Sequence, residues 1–165
     1  MSNRNYEPTS RIGAERRHNM KYFTISELTY STKARELHID NTPFSYEVVD
    51  NLTDLTENLL DPIREAWNAP LIITSGYRSD ALNKAVGGSK TSAHRHGLAV
   101  DVVPKNMADF DKFVAFVKDY LKDKDYDQLI LEQKGGSRWL HIGYKSVDGK
   151  QRMQNLKIIG NVTSK

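Results

Sequence analysis

The stretch Gly97-Leu98-Ala99-Val100-Asp101-Val102-Val103-Pro104 restricts the fold of this chain more than any other. Apolar and β-branched residues closed by a proline read as a short strand. Side chains alternate between the two faces of a strand, so Leu98, Val100 and Val102 make one strongly apolar face. Ala99, Asp101 and Val103 make the other, where a carboxylate stands between small residues. Such a strand belongs in a sheet that is packed on one side and open on the other. Asp101 then has the position of a ligand on the open face.

The remaining patterns supply what covers the packed side. In residues 44–67, Val48, Leu52, Leu55, Leu59 and Ile63 recur three and four apart, which is one apolar stripe of a helix. Pro62 should kink or restart this helix, and Asn68-Ala69-Pro70 should end it. A second amphipathic helix is expected over 107–122, with Phe110, Phe113, Val114, Val117 and Leu121 inward. Thr24 to Leu28 reads as a short helix start, and Ser79 has N-cap character for a helix that ends at Gly87-Gly88. Leu71–Thr74 reads as a buried strand. Two strand-like runs, 127–132 and 138–144, flank Gly135-Gly136 as a hairpin, and 151–159 offers a further edge strand. The expected class is α+β: N-terminal helices packed on a small, mainly antiparallel sheet.

Composition narrows the chemistry. The 165 residues include no cysteine, which excludes disulfide frameworks, thiolate metal sites and cysteine nucleophiles. The net charge of +3 is carried by residues 1–22, where Arg4, Arg11, Arg16, Arg17 and Lys21 face Glu7 and Glu15; the rest is neutral. A neutral body without a basic stripe argues against nucleic acid as a partner. The polar composition of the first residues suits a leader or basic extension over 1–19, followed by a single domain over 20–165. A basic arm could also touch nucleic acid or an anionic wall polymer. No stretch approaches the ~18 apolar residues of a membrane span, and residues 1–20 lack the apolar centre of a secretory signal.

Three residues then gain meaning together. His94 precedes the Asp101 strand, and His141 alternates with Leu140 and Ile142 in the last hairpin, opposite their aliphatic face. Two histidines and a carboxylate are a common protein ligand set of a catalytic zinc, which keeps one position open. Taken singly, each has an ordinary explanation as a hydrogen-bonded histidine or a satisfied structural carboxylate. Strand parity and loop placement agree for all three, and the joint reading is a metal site that activates water for hydrolysis.

The chain resembles the zinc D-alanyl-D-alanine metallopeptidases of the LAS type, which cleave peptide stems of bacterial cell walls. Ser92, His94, Gly97, Ala99 and Asp101 match the motif S-x-H-x-x-G-x-A-x-D, and Trp139 with His141 matches W-x-H. Thr74-Ser75-Gly76-Tyr77-Arg78-Ser79, Asn83 and Gly87-Gly88-Ser89 fit the segment before the first motif, so the resemblance spans roughly Lys21 to Tyr144. It implies a LAS/hedgehog-like zinc peptidase fold and one zinc ion held by His94, Asp101 and His141. It also implies a peptidoglycan stem as substrate and Arg78 as the clamp on its carboxylate, through two parallel hydrogen bonds. Ser92 either bonds substrate or holds its loop, and His96 either assists near the metal or faces solvent.

The general base is less direct. Related branches carry an acid or histidine a few residues before the last zinc histidine, and three before His141 this chain has Arg138. If the hairpin pairs Glu132 with Trp139, Glu132 shares the face of His141 and lies diagonal to it, so Glu132 is the expected base. The expected activity is that of a monomeric D-Ala-D-Ala carboxypeptidase, of the kind found in phage endolysins. It would be made in the cytoplasm and delivered to the wall by a holin or virion. The alternatives are an endopeptidase cutting a cross-link or the L-Ala–D-Glu bond, and a silent wall-binding or virion structural module.

Overall fold

The computed structural model describes residues 19–165. The expected leader of residues 1–19 lies outside these residues except for Asn19, whose N–H donates to Glu57 Oε1 at 2.7 Å. Helix α1 (Ile25–Thr29) begins with a reciprocal cap. Thr24 Oγ1 accepts the Glu27 N–H at 3.1 Å, and Glu27 Oε2 accepts the Thr24 N–H at 2.9 Å. Helix α2 (Thr32–Glu36) was not legible in the sequence, because five residues are too few to show a period. The long helix runs as α3 (Tyr46–Leu55), a π-turn (Thr56–Leu60) and α4 (Asp61–Trp67). The disturbance expected at Pro62 takes the form of that π-turn. The Asp61 N–H reaches back to the Thr56 carbonyl, and Pro62 falls in the first turn of α4, where its missing N–H is not needed.

Strands β1 (Leu71–Ser75), β2 (Ala99–Pro104), β3 (Gln128–Lys134), β4 (Ser137–Gly143), β5 (Gln154–Ile159) and β6 (Val162–Ser164) form one sheet in the order β1-β2-β4-β3-β5-β6. Only the β3–β5 pair is parallel. The α+β class expected from the sequence is the class observed. Helix α5 (Asp80–Ala85) starts at the Ser79 cap, and α6 (Phe110–Leu121) lies between β2 and β3 in the chain.

Register assigns the faces. Val100 pairs with Ile142 and Val102 with Leu140, while Leu129 and Leu131 pair with Ile142 and Leu140 from the other side. This face carries the core, filled by Val48, Leu52, Leu55, Leu59, Leu60 and Ile63 of the long helix and by Phe110, Phe113 and Val117 of α6. Burying each of these large side chains contributes ~1.5–3 kcal/mol. Trp67 meets Phe113 edge-on, with ring centroids 5.3 Å apart, which joins α4 to α6. The opposite face carries Asp101, His141, Ile130 and Glu132.

Two expectations need correction. Strand β1 is an edge strand, half-buried in alternation, with Ile72 47% exposed. An apolar run of four cannot distinguish an edge from a centre, because that depends on which strands pair with it. The run at 151–159 becomes β5, one place in from the edge, since β6 pairs outside it. Among the described residues, no helix is long and apolar enough to cross a membrane.

Gly76 connects the helical layer to the site. A Cβ built there would stand 2.0 Å from the Leu28 carbonyl oxygen, which accepts the Tyr77 N–H at 2.8 Å. Gly76→Ala must displace α1 or the loop. The expected cost is about 3 kcal/mol, read by thermal denaturation as a melting temperature roughly 6–12 °C lower.

Candidate active site

Each side chain reaches the site by a local device of the chain. In β1, the register against β2 shifts between Ile73 and Ser75, so that Ser75 pairs with Asp101. This bulge brings Ser75 to the face of Asp101, where its Oγ accepts from Arg78 Nε at 3.0 Å. Asn41 pins the following loop, donating from Nδ2 to the Thr29 and Tyr77 carbonyls and accepting the Ser79 N–H at 2.7 Å. Arg78 Nη1 donates to Asn83 Oδ1 at 3.2 Å, and Asn83 Nδ2 donates to the Ser89 carbonyl at 2.9 Å. A Cβ at Gly88 would sit 2.1 Å from Asn83 Oδ1 and 3.0 Å from Arg78 Nη1, so a larger residue there displaces the Asn83 side chain that holds Arg78.

His94 arrives on a single 3-10 turn, Ala93–His96. The Ser92 Oγ caps the turn by accepting the His94 N–H at 3.3 Å, and Gly97 ends it at φ +69°. Of the two roles open to Ser92, holding the loop is thus visible in the structure; Ser92 also lines the cavity. His96 does not join the cluster: its carbonyl is tied to Asn51 Nδ2 at 2.9 Å. Arg138 lies toward the helices, paired with Asp111 and with its guanidinium 4.5 Å from the Phe110 ring centre. Its parity matches Leu140 and Ile142, which was readable from the sequence.

His94, Asp101 and His141 converge, and one ligand atom from each lies within 4.8 Å of the others. All three are buried. Asp101 Oδ1 is 3.2 Å from His94 Nε2 and 3.1 Å from His141 Nδ1, and Asp101 Oδ2 is 3.4 Å from Arg78 Nη2. His94 Nδ1 lies 2.8 Å from the Gly76 carbonyl oxygen. A carbonyl can only accept, so Nδ1 carries the proton and Nε2 of the neutral ring is a lone pair. That lone pair faces a carboxylate oxygen, which is also an acceptor. Two acceptors at this separation are stable only with a shared proton on Nε2 or with a metal ion between them. Burial favours neutral His94, outweighing the nearby Asp101 charge. Burial acts to raise the Asp101 pKa, but positive charge on His94 and hydrogen bonds from both histidines, the interactions a bound cation would replace, hold it below the usual carboxylate range. Neutral imidazole and ionised carboxylate are the forms that bind metal.

Glu132 pairs with Trp139 in the β3–β4 hairpin, and its Oε1 is 4.0 Å from His141 Nδ1. Burial, then the Asp101 charge, pushes its carboxyl above the ordinary value. Arg78, Ser92, His94, Asp101, Glu132 and His141 all line one cavity of about 480 Å³ on the open face of the sheet. A second cavity of about 530 Å³, lined by Ser75, Asp101, Val103, Met107 and Trp139, abuts Asp101 from the β1 side.

Residues 21–143 match the family model described as Peptidase M15. The chain belongs to this family. Its members are zinc-dependent metallopeptidases, and the donor set, with a lone pair facing a carboxylate, fits such an ion. Comparison of the peptidase with curated proteins returned no match. The matched segment includes every residue of the cluster and ends at Gly143, so that β5, β6 and the loop before them lie beyond it. Nothing in the sequence marked Asn41 as a support of the site, because its partners at Thr29, Tyr77 and Ser79 are distant in the chain or reached through backbone atoms. Ser75, Gly76, Asn83 and Gly88 were visible only as parts of a motif, without their roles.

Proposed function

We propose that this peptidase cleaves the peptide stems of bacterial peptidoglycan as a D-alanyl-D-alanine carboxypeptidase. The observation that carries the reading is the buried His94–Asp101–His141 cluster, flanked within one cavity by the Glu132 carboxylate and the Arg78 guanidinium. His94 through Nε2, His141 through Nδ1 and Asp101 through Oδ1 would hold the zinc. When bound, zinc polarises a scissile carbonyl and lowers the pKa of water toward ~7. Glu132 accepts the proton of the attacking water and returns it to the leaving amine. A raised carboxyl pKa suits both transfers, since an effective base titrates closer to the working pH. Arg78 keeps one N–H on each terminal nitrogen beyond its bonds to Asn83 and Asp101, and these orient the substrate carboxylate.

An endopeptidase is the second reading. It is favoured by the cavity on the β1 side of Asp101, which provides room for substrate beyond the scissile bond. Mass spectrometry of products from purified peptidoglycan, with zinc-loaded and chelated protein, tests both. Release of terminal D-alanine that stops on chelation supports the carboxypeptidase, and larger chelator-sensitive fragments support the endopeptidase. No release from several wall chemistries despite stoichiometric zinc would leave a silent wall-binding module.

A further inference from the structure

Arg152, in the loop between β4 and β5 and beyond the family match, lies on the wall of the same cavity as Arg78. Asp127, 1% exposed, holds it in place. Arg152 Nε donates to Asp127 Oδ1 at 2.7 Å, Nη2 donates to Oδ2 at 2.8 Å, and the Arg152 N–H donates to Oδ1 at 3.2 Å. The loop is fixed on both sides of the arginine. The Met153 N–H bonds the Tyr126 carbonyl at 3.0 Å, the Gln154 N–H bonds the Asp127 carbonyl at 2.9 Å, and Gln151 Nε2 bonds the Tyr144 carbonyl at 3.1 Å.

The geometry of this pair leaves a specific group free. A guanidinium has five N–H donors in a planar fork. Asp127 takes the side formed by Nε and Nη2, so both Nη1 hydrogens and the second Nη2 hydrogen remain. Nη1 and Nη2 together form the end-on edge that binds a carboxylate bidentately. The Arg152 side chain is 43% exposed, so this edge is not enclosed by protein. The cavity therefore carries two arginines. Arg78 is already bonded to Asp101 and Arg152 to Asp127, while Glu132 has its own role.

We infer that Arg152, oriented by Asp127, is a second carboxylate-recognition point of this cleft. It selects stem peptides that bear a free carboxylate within the chain, away from the C-terminus that Arg78 orients. This rests on the stem-peptidase reading. Two groups of a stem have this chemistry: the α-carboxylate of a γ-linked glutamate and the side-chain carboxylate of a diaminopimelate. Peptidoglycan stems with an amide or a lysine at these places lack it.

The test is calorimetric binding of synthetic pentapeptides L-Ala–γ-D-Glu–X–D-Ala–D-Ala to zinc-loaded protein carrying Glu132→Gln, which blocks turnover and leaves Arg152 untouched. The glutamate is free or amidated, and X is lysine or diaminopimelate. The expected result is binding weaker by about 10–100-fold when the recognised carboxylate is removed, with the glutamate and X arms naming its source. Adding Arg152→Gln should erase this difference, and Arg152→Lys, which keeps the charge without the fork, should erase most of it. A purely structural Asp127–Arg152 tie would weaken all four peptides alike. Equal binding of all four peptides by the Arg152-containing protein, or a difference that survives Arg152→Lys, overturns the inference. Discrimination in binding by a protein that releases nothing from peptidoglycan would instead overturn the peptidase reading and leave Arg152 as a recognition residue.

Discussion

His94→Ala is expected to abolish stoichiometric zinc binding and reduce hydrolysis to background. The cluster has three protein donors, and His94 supplies one of its two imidazoles. Losing a partner behind a metal ligand costs ~10–100-fold in affinity or activity, and losing the ligand itself costs more. The side chain also accounts for the bond to the Gly76 carbonyl, so the metal-free variant loses ~1–3 kcal/mol from that unpartnered acceptor. Fold and metal are separated by thermal denaturation with and without zinc. Zinc at 100 times its Kd stabilises the wild-type chain by ~2.7 kcal/mol, a rise in melting temperature of roughly 5–11 °C. The variant should show no rise. A His94→Ala protein that still binds one zinc and releases product would overturn the assignment of the metal centre.

Glu132→Gln has the second large effect, and it should be confined to turnover. The substitution keeps size and burial but removes the proton acceptor. The kcat should fall by ~10²–10⁴, with zinc content, melting temperature and substrate KM close to wild type. This pattern distinguishes a base from a group that merely shapes the cavity, which would alter KM or zinc content. Retained kcat would remove Glu132 from the mechanism. Arg138 offers no substitute, since it pairs with Asp111 and stacks on Phe110 on the helical side of the sheet.

Much of this site is legible one residue at a time. Alternation placed Asp101 opposite the aliphatic face of its strand, and the observed Asp101–His141 pairing puts both on one face. Gly135-Gly136 marked the hairpin, and the register on which the Glu132 expectation was conditional is the one observed, with Lys134 opposite Ser137 and Glu132 opposite Trp139. The apolar stripe of the long helix was equally plain, and only the form of the break before Pro62 was not.

What the sequence determined by itself is therefore what depends on period and short spacing: the longer helices and the strands that carry the site, the face of each candidate ligand, and the α+β class. The tertiary structure alone decided which strands became edges, that Gly76 offers its carbonyl to His94, and that a bulge turns Ser75 toward Arg78. It also brought Asp127 and Arg152 together from two separate segments to line the cavity with Arg78. Such contacts form between residues distant in the chain, and they are selected by how packed layers meet. No local pattern records that, because each partner's own neighbours would look the same without the other.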